Sequence, residues 1–397
     1  MEALLVGIDV GCRRHRVAVG RPDGKLIDQF DLEHKPASFS SFFTRIEKQA
    51  AQLGLSVSVA MEGYGGWARP LDEMVLGKGW KLLNVNNLKL ARFKEIFPAP
   101  AKTDAIDARK IVELMRLRPL LPQAKEILNE VIPAPQANHD MKLLTRRRRQ
   151  LVDERSMVIN RMHSDLQAIA PGLLEITGSV DNQWFLNLLS ARESFDQLVR
   201  MHYSSVLKIK GVGQKYAALI RQWQQSALLS SDVLIMGDMV IEDAKRVLAL
   251  TGKIKQLESK LKALLPQSRL ARTIESITGF GLVCACEMAG EIGAIERFSS
   301  QSALARYIGM APLDNSSGTY TSAKGGKQVN RRAKAAMMTA VARHYWHTPQ
   351  SKAYYERKRA EGKRHNQAVR SLGRHISRVI WSLMKNDKLY EERKKTD

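Results

Sequence analysis

The chain opens on the apolar run Leu4-Leu5-Val6-Gly7-Ile8-Asp9-Val10-Gly11, whose continuous hydrophobicity predicts a buried strand. Two further strands, His15–Gly20 and Lys25–Leu32, follow with Pro22-Asp23-Gly24 as the turn between them. A helix over about 38–53 places Phe42, Phe43, Ile46 and Ala50 on one face. Val57-Ser58-Val59-Ala60-Met61 forms the next apolar run and ends at Glu62. A helix near Trp67–Leu76, a strand at Lys81–Val85 and a helix from Ala105 to Leu117 complete an alternating stretch. From about Pro133 the pattern becomes that of long helices. Asn138 to Ala170 reads as one helix, with Leu144, Leu151, Val158, Met162, Leu166 and Ile169 in a heptad-like stripe that Arg148 and Arg155 interrupt. A final helix, about Asn366–Met384, carries Val369, Leu372, Ile376, Val379 and Leu383 at core spacing. Residues 181–239 give no assignable pattern apart from one glycine turn.

Charge changes the picture most. The 397 residues include 63 Lys and Arg against 40 Asp and Glu, a formal net charge of +23, and an excess of that size points to a polyanion such as a nucleic-acid backbone. A hydrophobic fraction of 44% is enough for two or three globular domains. Three cysteines, Cys12, Cys284 and Cys286, lack zinc-ligand spacing and argue against disulfides or structural zinc. No apolar run approaches a membrane span, and no leader-like segment opens the chain, so a cytoplasmic protein is expected.

Against this basic background four carboxylates stand out. Asp9 lies in the first strand and Glu62 at the end of another. Asp104 and Asp107 open a helix after Lys102-Thr103, three residues apart and on one face. A carboxylate in an apolar strand is costly without a cation to compensate it. Such carboxylates holding Mg²⁺, with Mn²⁺ as the alternative, are common machinery for phosphodiester chemistry. Three hairpin strands followed by alternating helices and parallel strands is the order of RNase H-like nucleases, and also of sugar kinases and actin-like ATPases. Those ATPases carry small hydroxyl or glycine residues after the aspartate-glycine turn, whereas Cys12-Arg13-Arg14-His15 stands here.

Candidate phosphate contacts are spread along the chain. Arg13, Arg14 and Lys102 neighbour the carboxylates, and Arg146-Arg147-Arg148-Arg149 wraps the long helix. Lys210-Gly211-Val212-Gly213-Gln214-Lys215 and Thr278-Gly279-Phe280-Gly281 each join two predicted helices in the manner of a helix-hairpin-helix turn, whose glycines let backbone N–H groups approach phosphate. An ordinary glycine turn between packed helices fits each as well, and Lys210 and Lys215 make the first the better phosphate candidate. Lys324, Lys327, Arg331 and Arg332 form a basic cluster, and Arg370, Arg374 and Arg378 repeat every four residues along the last helix.

Gly7-Ile-Asp-Val-Gly11, Met61-Glu-Gly63 and Lys102-Thr-Asp-Ala-Ile-Asp-Ala108 resemble the N-terminal DEDD, RuvC-like domain of a family of insertion-sequence transposases related to the Piv invertases. The second half resembles the same family through Ile277-Thr-Gly-Phe-Gly281, Glu291-Ile-Gly293, Arg297-Phe-Ser299, Tyr307-Ile-Gly-Met-Ala-Pro312, Ser316-Ser-Gly318 and Lys327-Gln-Val-Asn330. Val329 stands where the family carries glycine.

The resemblance implies an α/β plus α protein. Residues 1–125 would form a RuvC-like DEDD domain, 126–265 a helical coiled-coil region, and 266–397 a mainly helical transposase domain with helix-hairpin-helix-like motifs. It implies that Asp9, Glu62, Asp104 and Asp107 bind the metal and that Ser317, directly before Gly318, is a nucleophile forming a phosphoserine link to DNA. It further implies a structured non-coding guide RNA, a bridge RNA, that pairs with donor and target DNA. Dimers or tetramers would join through the coiled coil, the nuclease domain of one protomer facing the serine domain of another. A structure-selective nuclease of the Holliday-junction resolvase type needs the four carboxylates and a basic surface but no serine. A catalytically inert nucleic-acid-binding protein needs none of these acids.

Overall fold

The computed structural model describes residues 2–94, 104–120, 127–317, 320–326 and 329–392; for Leu88, 92–94, 104–105, 312–317 and 320–325 it describes the backbone only. Within these the chain forms two compact units, one ending at Pro133 and the other beginning at Ala134.

The first unit is built on a six-stranded sheet. Its strands are β1 (Ala3–Asp9), β2 (Arg14–Gly20), β3 (Leu26–Glu33), β4 (Ser56–Glu62), β5 (Lys81–Val85) and β6 (Leu128–Glu130), in the order β3-β2-β1-β4-β5-β6. β1, β2 and β3 pair antiparallel as two successive hairpins, while β4 lies parallel to β1 and β5 parallel to β4. α1 (Pro36–Leu53) and α2 (Arg69–Gly77) accompany them, with α3 (Asn87–Lys94) and α4 (Asp104–Leu117) later in the chain. The mixed sheet and the hairpin-then-parallel order match the expectation from the pattern. β6, antiparallel on β5, and α3 were not anticipated. The helix expected from Trp67 begins at Arg69, because Pro70 favours a helix's first turn and the glycine-rich stretch before it does not.

Alternation along the strands separates two cores. Leu4, Val6, Ile8, Val59 and Met61 pack with Phe39, Phe42, Phe43 and Ile46 of α1 and with Leu71 and Val75 of α2. Leu5 and Ala60 point the other way and pack in the cores built around α4. Gly7 shares that second face, and a Cβ there would lie 2.7 Å from the Ala108 carbonyl oxygen and 2.9 Å from Val112 Cγ2. Only glycine allows α4 this close to β1. Gly7→Ala is therefore expected to destabilise the protein by about 1–3 kcal/mol, read as a lower midpoint in chemical denaturation. An unchanged midpoint would mean that α4 does not seat on β1 as described.

The second unit is helical except for one hairpin. Its long helices, α5 (Gln136–Ile169) and α11 (Val233–Leu264), are linked by α6 (Leu173–Thr177), α7 (Gln183–Leu189), α8 (Phe195–Val199), α9 (Tyr203–Leu207) and α10 (Gln214–Ser226). α12 (Arg269–Glu275), α13 (Leu282–Ile292), α14 (Gln301–Tyr307), strands β7 (Pro312–Ser317) and β8 (Tyr320–Gly325), α15 (Arg331–His347), α16 (Pro349–Ala360) and α17 (His365–Asn386) follow. The segment without an assignable pattern is thus α7 to α10 and the start of α11.

The heptad-like stripe of α5 finds its partner within the chain. Arg148 pairs with Glu258, Arg246 with Glu154 and Arg161 with Asp243, so α11 runs antiparallel along α5. Leu151 packs with Leu250 and Ile254 of α11. Val158, Met162, Leu166 and Ile169 enter a core with Phe185, Phe195 and Val240, so these stripe positions are occupied in cis rather than left as an open seam. The two arginines that interrupt the stripe meet carboxylates, Arg148 at Glu258 and Arg155 at Asp181. A separate core gathers Ile274, Ile277, Phe280, Met288, Met337, Val369, Leu372 and Ile376 from α12, α13, α15, α17 and the turn after α12. The expected core spacing of the last helix holds, with Val379 and Leu383 only partly buried.

Candidate functional site

Two strand ends and a helix start meet in the first unit. β1 and β4 pair parallel up to Ile8 opposite Met61, so Asp9 and Glu62 are the next residues along neighbouring strands, which lie about 4.8 Å apart. Side chains alternate across a sheet. Asp9 therefore shares the face of Leu5 and Gly7, and Glu62 that of Ala60, which is the face α4 covers. Val112 meets Gly20, whose strand partner is Leu5, and Ala108 meets Gly7. One more turn back along α4 is its first residue, Asp104, toward the Asp9 end of the sheet. Asp107 immediately precedes Ala108. Asp9, Glu62 and Asp107 are all half-buried.

The topology thus puts Asp9 and Glu62 at neighbouring strand ends, with the start of α4 on the same face of the sheet. Among the described side chains, no group of three or more His, Cys, Asp or Glu stands ready to hold a metal. The carboxylate of Asp104 lies outside that description, as do Lys102 and Thr103 altogether. The donor set is purely oxygen, which suits Mg²⁺ or Mn²⁺ and not the softer metals. Arg13 and Arg14 are exposed at the start of β2, where Arg14 reaches Asp31 at 3.2 Å.

In the second unit the expected serine sits on the β7–β8 hairpin. Ser317 is the last residue of β7 and pairs with Tyr320; Ser316, one register inward, pairs with Thr321. Gly318, Thr319 and Lys327 lie outside the described residues, and Lys324 is on β8.

Both roots of this hairpin are fixed by one buried network. Glu291, 2% exposed, accepts from Arg146 Nε at 2.6 Å and Nη2 at 2.9 Å. Its Oε2 also accepts from Asn330 Nδ2 at 2.7 Å, and its main-chain oxygen from the Tyr307 hydroxyl at 2.7 Å. Asn330 Nδ2 further donates to the Tyr307 oxygen at 2.8 Å, while its N–H donates to the Tyr307 carbonyl at 2.8 Å. The Asn330 Oδ1 caps α15 by accepting from the N–H groups of Arg332 and Ala333. Tyr307 ends α14 before the hairpin and Asn330 follows it, so Glu291 clamps the chain on either side.

One turn before Glu291 on α13, Glu287 is held by Arg149 through two bonds, of 2.9 and 2.7 Å. Burial would raise the Glu291 carboxyl, but donation from Arg146 and Asn330 and the nearby charges of Arg146 and Lys142 outweigh it and hold it below the ordinary range. For Glu287 burial wins: Arg149 offsets it only in part, Glu291 adds to it, and the carboxyl is raised.

The four-arginine run is therefore not four free cations. Arg146, Arg148 and Arg149 are engaged by Glu291, Glu258 and Glu287, and Arg147, exposed, reaches only Gln150 at 3.4 Å among the described residues. Sequence reasoning missed these partners, although the spacing held a signal. Arginines three apart on α5 face glutamates four apart on an otherwise apolar α13, which is complementary charge on two packed helices.

A carboxyl with a depressed folded pKa contributes stability above its ordinary value, 4.5 for glutamate, and loses it as pH falls through the folded value. Glu291→Gln is accordingly expected to lower unfolding stability at pH 7 by about 2 kcal/mol, with the gap to the wild type closing below pH 4.5. Denaturant titrations at pH 7 and pH 4 read both; an equal gap at the two pH values would show that the charge of Glu291 is not what matters.

The other expected cations sit as follows. Lys210 and Lys215 are exposed on either side of Gly211 and Gly213 before α10. Gly211 and Gly279 have φ of 90° and 89°, each followed by an extended glycine at the next helix's N-cap, so the two turns share one geometry. A Cβ on Gly279 would meet the His344 backbone nitrogen at 2.6 Å, which gives that turn a packing role against α15. Arg331, Arg332 and Arg378 are exposed, and Arg370 and Arg374 are half-buried.

Two family models match this chain in succession, a DEDD-type IS110 transposase model over residues 6–171 and the transposase IS116/IS110/IS902 family model over residues 271–356. The chain is 26% identical over 403 residues to the insertion element IS110 uncharacterized 43.6 kDa protein of Streptomyces coelicolor, covering 98% of this chain and 96% of that protein. It is 24% identical over 397 residues to the insertion element IS900 uncharacterized 42 kDa protein of Mycobacterium paratuberculosis, covering 98% and 97%. The transposase for insertion sequence element IS1111A of Coxiella burnetii is 23% identical over 229 residues, 53% of this chain and 61% of that one. With both models in order along the chain and relatives matched from end to end, the protein belongs to the IS110/IS116/IS902 family of insertion-sequence transposases.

Proposed function

We propose that this transposase is a DNA recombinase with a RuvC-like carboxylate centre and a nucleophilic serine, which moves its element through a phosphoserine intermediate under the guidance of a structured non-coding RNA. The observation that carries the reading is the placement of Asp9 and Glu62 side by side on the face where α4 begins with Asp104 and Asp107. Asp9, Glu62, Asp104 and Asp107 would hold Mg²⁺, or Mn²⁺ in its place. Bound there, the metal would polarise a phosphodiester and ease deprotonation of the attacking hydroxyl.

The serine chemistry balances without another reactant. Ser317 Oγ bonds to phosphorus, the bond from phosphorus to a sugar oxygen breaks, and the departing hydroxyl takes up a proton. A hydroxyl on the strand to be joined then attacks the phosphoserine, restores the phosphodiester and returns the serine. Energy of the broken bond is kept in the phosphoserine, so joining needs no nucleotide cofactor.

The basic residues would each contact phosphate within their own unit: Arg13, Arg14 and Lys102 in the first, and in the second Arg147, then Lys210 and Lys215 at a helix-hairpin-helix-like turn, then Lys324, Lys327, Arg331, Arg332, Arg370, Arg374 and Arg378. Contacts of this kind read backbone, which leaves sequence choice to base pairing by the guide. The working form would be a homo-oligomer, dimer or tetramer.

The deciding experiment incubates purified protein with supercoiled DNA carrying its element, the transcript of the element's non-coding end, and Mg²⁺. Joined donor–target product that disappears on adding EDTA or omitting the RNA supports the reading. Free nicked ends without joining would replace it by a resolvase-type nuclease.

A further inference from the structure

The loop that leaves the Glu62 strand carries an aromatic side chain with no use in the fold. Trp67 is 72% exposed, whereas Trp80 of the same unit packs its ring on Phe42 and Phe43 at 6.4 and 5.2 Å. Tryptophan is among the costliest side chains to leave in water, because of its large apolar area. Trp346 is also exposed, but it stacks on Tyr345. Trp67 has no ring partner among the described residues.

The backbone that presents it is fixed from within. Gly63 and Gly65 have φ of 68° and 69°, a conformation that side chains rarely adopt, and the Gly66 N–H donates to the Gly63 carbonyl at 2.8 Å. Asp72, 3% exposed, accepts from the Gly65 N–H at 2.8 Å, and Asn84 of β5 accepts from the Tyr64 N–H at 3.2 Å. Arg69 Nε closes the turn onto the Gly65 carbonyl at 2.7 Å, and Ala68 and Leu71 bury the start of α2 behind it. Every one of these bonds ties the loop inward, so the indole stands on a braced support rather than on a loose tether.

Its location gives the indole a use. The loop departs from the carboxyl ends of the parallel strands β1, β4 and β5, the edge where open α/β sheets take their ligands. Glu62 is the last residue of β4, five positions before Trp67. A braced aromatic beside phosphodiester chemistry, in a chain of net charge +23, matches the way single-stranded nucleic acids are held, with cations on the backbone and aromatic faces under the bases. We infer that Trp67, set by the Gly63–Gly66 turn beside Glu62, is a stacking platform for an unpaired nucleobase of the strand brought to the carboxylate centre. Duplex DNA keeps its bases stacked on one another, so the platform favours a melted or unpaired position next to the scissile phosphate. This rests on the reading of Asp9 and Glu62 as part of a nuclease centre, and it adds a preference for unpaired substrate.

The test uses the full-length protein and its Trp67→Phe and Trp67→Ala variants. Subtracting the Trp67→Phe emission from the wild type isolates Trp67 among the six tryptophans. Each protein is titrated with a 12-nucleotide single-stranded DNA, the same sequence as RNA, and the DNA duplex, with binding followed in parallel by anisotropy of an end label. The Trp67 emission should be quenched by the DNA strand, the RNA strand or both, and not by the duplex; which strand quenches tells whether the base belongs to DNA or to the guide. Trp67→Ala should weaken binding of that strand by about 10- to 100-fold, leave duplex affinity within about twofold, and Trp67→Phe should recover most of the loss.

Binding of every strand without any change in Trp67 emission would overturn the inference. So would unchanged single-strand affinity in Trp67→Ala accompanied by a shifted oligomeric state in sedimentation, which would assign the indole to a protein partner. Metal-dependent cleavage by the wild type, measured on the same substrates, keeps the two readings apart. Cleavage without quenching removes the platform alone, and quenching without metal-dependent cleavage removes the nuclease centre alone.

Discussion

Asp9→Asn and Glu62→Gln are each expected to lower DNA strand cleavage by about a thousandfold or more, roughly 4 kcal/mol of transition-state stabilisation, while the protein still folds and still binds DNA. The two residues close neighbouring parallel strands whose buried positions, Ile8 and Met61, anchor the sheet independently of the acids that follow them. Replacing a carboxylate by its amide keeps the shape and removes the charge that a divalent cation needs. With the acids brought together as proposed, either variant in EDTA should melt no lower than the wild type. Adding Mg²⁺ should reverse the order. A ligand that binds only the folded state stabilises it in proportion to the logarithm of its concentration over Kd, so the wild type should gain melting temperature and the variants should not. Asp104→Asn should behave in the same way. Asp107→Asn separates two roles, because a carboxylate in the first turn of α4 also favours the helix dipole. Retained cleavage with a lower melting temperature would assign it to the helix. Undiminished cleavage in Asp9→Asn or Glu62→Gln would remove the metal centre from this edge of the sheet.

Much of this arrangement is written in local pattern. β1 is legible as a near-continuous apolar run and β4 as a short run of mainly apolar residues, and each ends on its acid. The side-by-side placement of Asp9 and Glu62 follows once the two strands are paired in parallel, but the pairing is a long-range fact. Gly7 supplies the missing piece: within an apolar strand it looks like a weak point, and only the Ala108 backbone against it explains why no side chain fits. β6 escaped notice because three residues are too few to show a period. The helix expected near Trp67–Leu76 starts later, because three glycines before Trp67 and Pro70 after it set the loop and the helix start.

In the sequence the arginine run reads as a phosphate contact, because a sequence shows charge but not its partners. Glu287 and Glu291 lie more than 130 residues away from it, and their burial on α13 is what draws Arg149 and Arg146 inward. Likewise the stripe of α5 suggested an open seam, yet α11 returns antiparallel to cover much of it. In both cases the residue types were informative about the forces and silent about which part of the chain would satisfy them. The serine hairpin shows the converse. Its short strands carry little hydrophobic signal, but Tyr307 and Asn330 on either side are fastened to one buried residue, Tyr307 to the Glu291 main-chain oxygen and Asn330 to its carboxylate, and that fixes where the turn must emerge.

Ser317→Ala is expected to abolish a covalent protein–DNA adduct trapped on a suicide substrate, whereas Ser316→Ala should leave the adduct intact. Two adjacent serines are chemically the same, so position must decide between them. Ser317 closes β7 opposite Tyr320, directly before Gly318, while Ser316 is one register deeper opposite Thr321. A glycine after the nucleophile leaves room for the DNA backbone to approach. Neither change removes apolar area from the core, so both variants should fold and bind DNA as the wild type does, and adduct formation on a nicked substrate with Mg²⁺ reads the chemistry alone. Loosening the hairpin's support should slow the adduct without eliminating it: Asn330→Ala removes the bonds to Glu291 and Tyr307 and the cap on α15. It should reduce the adduct rate by roughly 10- to 100-fold, the scale of a misplaced nucleophile, with DNA affinity unchanged. An adduct that survives in Ser317→Ala and vanishes in Ser316→Ala would move the nucleophile by one residue. A wild type that cleaves DNA with Mg²⁺ and never forms an adduct would leave the carboxylates as the whole of the active site.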